Sequence, residues 1–337
     1  MSIRKKVLIS IGILSLGLTL FFYFLFLNIV LTNFDRIEEN FVRNNIARAK
    51  ATMQEQTGAL DTITHDWASW DDTYDYIHNL NKEYEETNIV SDTFSSSAKI
   101  EFLLYFDLEG KLVHGSYYDA ALDDLIPVPS QLLSQLAEKK ELFHHPSTNS
   151  HHTGLVMLAD MPLMLSARPI LRSNGEGPPA GTLIMMRVLT DQRIEAIKSV
   201  TSLNFSLHHV HAPLPHPDSF EILDTLLKEP GKSIVNPLGP KTIAGYTILR
   251  DVFDHPLFLL RLDFPREIHI QGHRTLNSLL WTSIVTSLSF CLAFFLILDR
   301  LILKRLTRLN HDVIRISKTA QTASRVQVAG KDELASL

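Results

Sequence analysis

Two stretches of this chain carry no charged side chain, and they limit its fold before any other feature does. Val7–Leu31 is almost wholly apolar, and Leu279–Leu298 is uncharged but holds Thr282, Ser283, Thr286, Ser287 and Ser289. Each reaches the roughly 20 residues that cross a bilayer core, and such hydroxyls occur where helices pack in lipid. The first run is too long for the apolar part of a cleaved signal peptide, and no small-residue cleavage site follows it. A buried core helix is the alternative for the second. Arg4, Lys5 and Lys6 precede the first run; Arg300, Lys304, Arg305 and Arg308 follow the second. Short basic flanks stay in the cytoplasm. Residues 1–6 and 299–337 are therefore read as cytoplasmic, 7–31 and 279–298 as membrane helices, and the part between as exported. In a bacterial inner (cell) membrane that places it in the periplasm.

The only cysteine of the 337 residues, Cys291, lies inside the second run. The exported part cannot hold a disulfide, so its fold must rest on a hydrophobic core. The net charge of −5 gives no reason to expect nucleic acid.

Beyond the first run the chain continues as helix. Ile46, Ala49, Met53, Gln56, Leu60, Ile63, Trp67, Trp70, Tyr74 and Ile77 alternate in steps of three and four, a heptad seam. Its first part is expected to pair between two subunits and its aromatic part to dock on a sheet. On one unbroken helix Trp67, Trp70, Asp71 and Tyr74 share a face, with Asp71 at its edge and Asp72 pointing away. Strand signals follow at 100–106, 111–118, 154–159, 162–171 and 181–189, with a short helix at 129–139. Five strands with helices on one side suggest an α+β sensor of the PAS or Cache kind, covering 32–190. Residues 191–277 read as a membrane-proximal part with strands at 204–211, 241–250 and 257–264 and a helix at 219–228. Whether this part is a second module or an extension of the first sheet is left open by the sequence.

The segment His65–Ile77, with its Trp-Asp-Asp-Thr-Tyr core, resembles the signature of the type-four CHASE domain, an extracytoplasmic sensor of signalling proteins. Ser166-Ala-Arg-Pro-Ile170, the turn cluster Ser173–Pro179 and Gly181-Thr-Leu-Ile184 are similar to that family's closing hairpin. The tail resembles a HAMP linker: Leu306, Leu309, Val313 and Ile316 are spaced as in its first helix, and Lys331-Asp-Glu-Leu334 is similar to the opening of its second. The resemblance implies a homodimer and an output that is commonly a diguanylate cyclase, a phosphodiesterase or a histidine kinase. The chain stops inside the second HAMP-like helix, which is read as a truncation or a lost output.

The candidate site comprises Trp67, Trp70, Asp71, Asp72, Tyr74, Tyr105 and Arg168, as a helix clamp, a ligand pocket or both. Arg168 is expected to pair with Asp71 across the helix–sheet junction. Aromatic faces beside a carboxylate suit a cation or an apolar ligand. No cofactor is expected. A metal site is not expected either; His144, His145, His151 and His152 form the alternative, for a metal or as groups protonated below about pH 6.5. No phosphate loop or nucleophile elbow occurs. The chain is thus read as a receptor for a periplasmic cue, without catalysis of its own. The cue is a small ligand or, in the rival reading, a periplasmic protein.

Overall fold

The helix that carries the first apolar run continues without a break to Ala68: α1 spans Ile3–Ala68, 66 residues. The computed structural model describes residues 3–214 and 218–304, together with 307, 311 and 314. The HAMP-like positions Leu306, Leu309, Val313, Ile316 and Lys331–Leu334 lie outside the described residues.

The chain divides into two compact units, Met1–Glu38 with Glu267–Leu337, and Glu39–Arg266. In the first, α1 and α7 (Glu267–Leu298) are long and apolar enough to cross a membrane. Their large side chains face outward, with Leu14, Phe21, Leu288 and Phe290 all more than half exposed, as lipid-facing residues are. The hydroxyls of Ser15 and Ser287 bond each other, and Thr19 Oγ1 donates to Ser287 Oγ at 3.0 Å. Thr282 and Ser289 instead return their hydroxyls to carbonyls one turn back. Where the pair leaves the apolar runs, Gly272 of α7 approaches Phe34 so closely that a Cβ would lie 2.9 Å from its ring.

The second unit holds α2 (Asp71–Asn79), α3 (Lys82–Asn88), β1 (Phe102–Phe106), β2 (Leu112–Asp119), β3 (Asp124–Ile126), α4 (Ser130–Ala137), β4 (His152–Leu158), β5 (Met161–Ile170) and β6 (Gly181–Val188). It continues with α5 (Asp191–Thr201), β7 (Phe205–His209), α6 (Asp218–Lys228), β8 (Ser233–Pro237), β9 (Thr242–Arg250) and β10 (Pro256–Pro265). Two antiparallel sheets result, in the orders β3-β2-β1-β6-β5-β4 and β7-β10-β9-β8. The expected α+β architecture is present. β3 and β8 were not legible, because a strand of three to five half-buried residues at a sheet edge shows no usable period.

Helices cover both faces of the first sheet, not one. Leu103, Tyr105, Met164, Leu183 and Met185 face α1 to α3. Phe102, Leu104, Ile184 and Met186, which alternate with them, pack with Leu132 and Leu136 of α4. The same face of α1 continues along the second sheet, whose other face is covered by Ile222, Leu223 and Leu226 of α6. The β9–β10 turn joins the sheets: Val252 N donates to Leu155 O at 2.8 Å, against Gly154, where a Cβ would lie 3.1 Å from Val252 Cα.

The helical seam differs from the heptad expectation in two ways. From Val42 onward the buried stripe of α1 runs through Val42, Ile46, Ala49, Met53, Thr57, Leu60, Thr64 and Ala68, with Asn45 buried beside it, so steps of three, four and four replace three and four. That spacing follows a straight helix, whereas a strict heptad imposes a supercoil. Ile46, Ala49 and Met53, expected to pair between subunits, are buried in the chain's own core. The helix also ends at Ala68: Trp70 is extended (φ −102°, ψ 138°) and starts α2. The break is fixed by the sheet, since Leu171 N donates to Ala68 O at 2.8 Å.

Gly245 lies under α1, where a Cβ would meet Val42 at 2.5 Å and Ile46 at 2.7 Å, whereas Gly58 in α1 has open space. Gly245→Val is expected to lower stability by about 1–3 kcal/mol through overpacking. Gly58→Ala is expected to raise it by roughly 0.5–1 kcal/mol. Thermal unfolding of the full chain in detergent reads both.

Candidate functional site

Residue 61 sits on α1 just beside the buried stripe, facing the paired strands β4 and β5. Thr153 and Ser166 are register partners on those strands, and Arg168 lies two residues beyond Ser166 on the same face. All three donate to Asp61: Thr153 Oγ1 and Ser166 Oγ to Oδ1 at 2.8 Å, Arg168 Nε to Oδ1 at 2.8 Å, and Arg168 Nη2 to Oδ2. Burial alone would raise the Asp61 pKa, but the bonds from Arg168, Ser166 and Thr153 hold it below the ordinary carboxylate value. A carboxylate so surrounded is a strong acceptor with little freedom.

The expected Arg168–Asp71 pair is therefore corrected: Arg168 binds Asp61. The helix break carries Asp71 to the loop after β5. There its carboxylate accepts from Ser173 N at 3.3 Å and Arg172 Nη1 at 3.4 Å, and its own N–H donates to Ser173 Oγ at 3.1 Å. The Ser173 backbone N–H leads the contacts that lower its pKa. Asp61 was missed because the heptad frame turned attention to the aromatic end. The available signal was the donor patch of Thr153, Ser166 and Arg168, which demanded an acceptor.

The other expected residues fall into two groups. Trp67, half-buried, and Trp70, exposed, stack across the break with centroids 5.2 Å apart. Tyr74 lies beneath the Arg172 guanidinium at 4.3 Å, and Arg172 also reaches Asp75 at 3.2 Å. Tyr105, fully buried, belongs to a separate cluster under α2 and α3. Thr73, Tyr84 and Tyr105 form a chain of hydroxyls at 2.8 and 3.0 Å, and Tyr76 stacks on Tyr84 at 4.5 Å. Tyr76 donates to Glu85 at 2.7 Å. Burial raises the pKa of all three tyrosines, so they stay protonated donors. Beside this cluster a cleft of about 380 Å³ opens between α2 and α3, bounded by Asp72, Asp75, Tyr76, Glu83 and Tyr84.

Of the histidines, His145 bonds Thr182 Oγ1 at 3.1 Å and Ser150 Oγ at 3.2 Å. Its ring lies 5.9 Å from that of His152, whose Nε2 is 3.4 Å from His144 O. His151 contacts Asn149 O at 3.4 Å. Burial first, then the neighbouring His152, His144 and Arg168, push the His145 pKa down to about 4. Both its ring nitrogens are engaged with hydroxyls.

Residues 52–208, the stretch that contains the clamp and the cleft, match the model of the CHASE4 domain. Over 339 aligned residues, covering the whole chain, it is 29% identical to the methanogenesis regulatory histidine kinase FilI of Methanothrix harundinacea (strain 6Ac). The chain spans 37% of that relative's length. Among solved structures it is similar to the periplasmic domain of Vibrio cholerae LuxQ, with TM-score 0.42, 14% identity, and coverage of 66% of this chain and 99% of that one. It is also similar to the ligand-binding domain of the Campylobacter jejuni chemoreceptor Tlp3 in complex with L-valine, with TM-score 0.43, 11% identity, and coverage of 72% and 98%.

Removing one partner of a buried, hydrogen-bonded ion pair leaves the other uncompensated. Asp61→Ala is expected to cost about 3 kcal/mol, whereas Asp71→Ala, at an exposed pair, is expected to leave the unfolding midpoint nearly unchanged. Urea titration of the full chain compares them.

His145 binds its proton more weakly folded than unfolded. Its contribution is complete above the unfolded value of 6.5 and is lost as pH falls toward about 4. Unfolding midpoints are expected to fall through that window, and more steeply in the wild type than in His145→Gln. Equal slopes would show that His145 does not titrate in this way.

Proposed function

We propose that this chain is the receptor part of a membrane signalling protein, with the second unit outside the membrane, both termini cytoplasmic and the chain acting as a homodimer. The observation that carries the reading is α1 itself. One helix holds the apolar run Val7–Leu31 and, further on, the Asp61 carboxylate bound to β4 and β5. The clamp and the apolar run are thus joined along one continuous stretch of chain.

The ligand reading places a small, positively charged molecule in the cleft between α2 and α3. Asp72, Asp75 and Glu83 provide negative charge at its rim, and the Tyr76 and Tyr84 rings provide aromatic surface. α2 is joined to α1 through the extended residue Trp70, so an occupant shifting α2 strains the junction next to the clamp. By linkage, such a ligand must bind one arrangement more tightly than the other. The HAMP-like tail would pass the change to an output. The FilI relative supports a histidine kinase as that output, with cyclic-di-GMP turnover as the alternative.

A second reading, acid sensing, is favoured by His145. Protonation would add positive charge near Arg168, whose guanidinium already opposes it.

The experiment uses the full-length receptor in nanodiscs, with its output activity as readout and a panel of small amines as probes. An amine that raises the wild-type melting temperature is expected to lose that effect at least tenfold in concentration in Asp72→Ala with Tyr84→Ala. Asp61→Asn is expected to keep binding and lose the output response. Retained binding in the cleft variant removes the ligand site, and a normal response in Asp61→Asn removes the relay.

A further inference from the structure

Met53 lies in the buried stripe of α1, and Lys50 and Gln54, four residues apart, stand exposed on one helix face beside it. Here the two sheets meet. Leu155 on β4 pairs with Asp251 in an isolated bridge, and Val252 N donates to Leu155 O at 2.8 Å. The helix and the sheets leave a cavity of about 260 Å³, with Lys50, Gln54 and Arg250 among its polar walls and Met53, Leu155 and Leu249 among its apolar ones. All of it belongs to the second unit, and it shares no residue with the cleft between α2 and α3.

The acids around this cavity are already engaged. Arg250 Nη1 donates to Asp254 O and lies 3.6 Å from the Asp254 carboxylate. Asp251 Oδ1 accepts from Phe253 N at 2.9 Å and from His255 N at 2.8 Å, which closes its own turn. Among the described residues no hydrogen bond or ion pair reaches the Lys50 ammonium or the Gln54 side-chain amide, and Arg250 donates through Nη1 alone.

We propose that this cavity binds a small carboxylate with a short hydrocarbon body, at a site separate from the proposed amine cleft. Lys50 offers only donors, and the Gln54 amide and the Nε and Nη2 groups of Arg250 offer more; a carboxylate can only accept. Hydrogen bonds to an ionised partner are roughly twice as strong as neutral ones. Met53, Leu155 and Leu249 are buried and give the hydrocarbon part an apolar surface. The volume falls below the roughly 300–1,000 Å³ of drug-sized pockets, which restricts the occupant to a few carbons. A cation is disfavoured, because the acids of the turn are engaged and Lys50 opposes it. Thr153, also on the wall, donates to Asp61 at 2.8 Å. An occupant therefore bridges α1 to both sheets beside the clamp, and by mass action stabilises the arrangement it binds.

The test uses the full chain in detergent, with sodium butanoate as probe and sodium chloride, butylammonium chloride and butanol as controls at matched ionic strength. Calorimetric titration is expected to show one butanoate per chain with a Kd on the order of 1 mM for so few atoms. Butanoate is expected to raise the melting temperature and the controls are not. Lys50→Met keeps the aliphatic stem at an exposed position, and is expected to weaken binding about tenfold or more. Asp72→Ala with Glu83→Ala, in the other cleft, is expected to leave butanoate binding unchanged. No binding by the wild-type chain overturns the site. Binding unchanged in Lys50→Met, binding lost in the cleft variant, or equal binding of butylammonium overturns it as well.

Discussion

The carboxylate of Asp61 is half-buried against a sheet and accepts hydrogen bonds from Thr153, Ser166 and Arg168, which lie on two neighbouring strands. A charged group in that setting is stable only while its donors stay in place, since a buried ion without partners costs several kcal/mol. The rest of the second unit is arranged around this condition. The donors are held in register by β4 and β5, those strands by β6, and the helix by the stripe from Val42 to Ala68. The fixed azimuth of α1 in turn sets where it ends and how α2 departs from it.

α1 also connects sheets that have no strand in common. Its buried face meets Gly245 on the second sheet and Asp61's donors on the first. The β9–β10 turn adds a backbone bond to Leu155. A single helix touching both sheets makes the position of each depend on the other. The tyrosine cluster serves a different purpose. Thr73, Tyr84 and Tyr105 satisfy one another's hydroxyls, so a polar network can be buried under α2 and α3 and hold the walls of the acidic cleft in one shape.

Much of this was legible in the sequence, because long periodic or long apolar segments leave strong signals. The apolar runs, the strands of the first sheet and the Trp-Asp-Asp-Thr-Tyr segment are of that kind. The errors have physical causes. Heptad and straight-helix spacings differ by less than a residue per turn, yet over several turns the difference moved the buried positions from Gln56 and Ile63 to Thr57 and Thr64. That small rotation hid Asp61 and promoted Asp71 as the partner of Arg168. The end of α1 could not be read either, since it is set by Leu171, a hundred or so residues later, taking the Ala68 carbonyl. Tyr76 and Tyr84 were overlooked because a tyrosine in a helix reads the same whether its hydroxyl is solvated or networked.

The most direct test of this account is a double-mutant cycle on Asp61 and Arg168, measured by denaturant unfolding of the full chain, with Asp71 and Arg168 as the comparison pair. Contacting residues in one hydrogen-bonded network couple by roughly 0.5–3 kcal/mol, and distant ones add within about 0.5. The structure predicts coupling above about 1 kcal/mol for Asp61→Ala with Arg168→Ala and simple additivity for Asp71→Ala with Arg168→Ala. Additivity in the first cycle, or strong coupling in the second, would contradict the clamp.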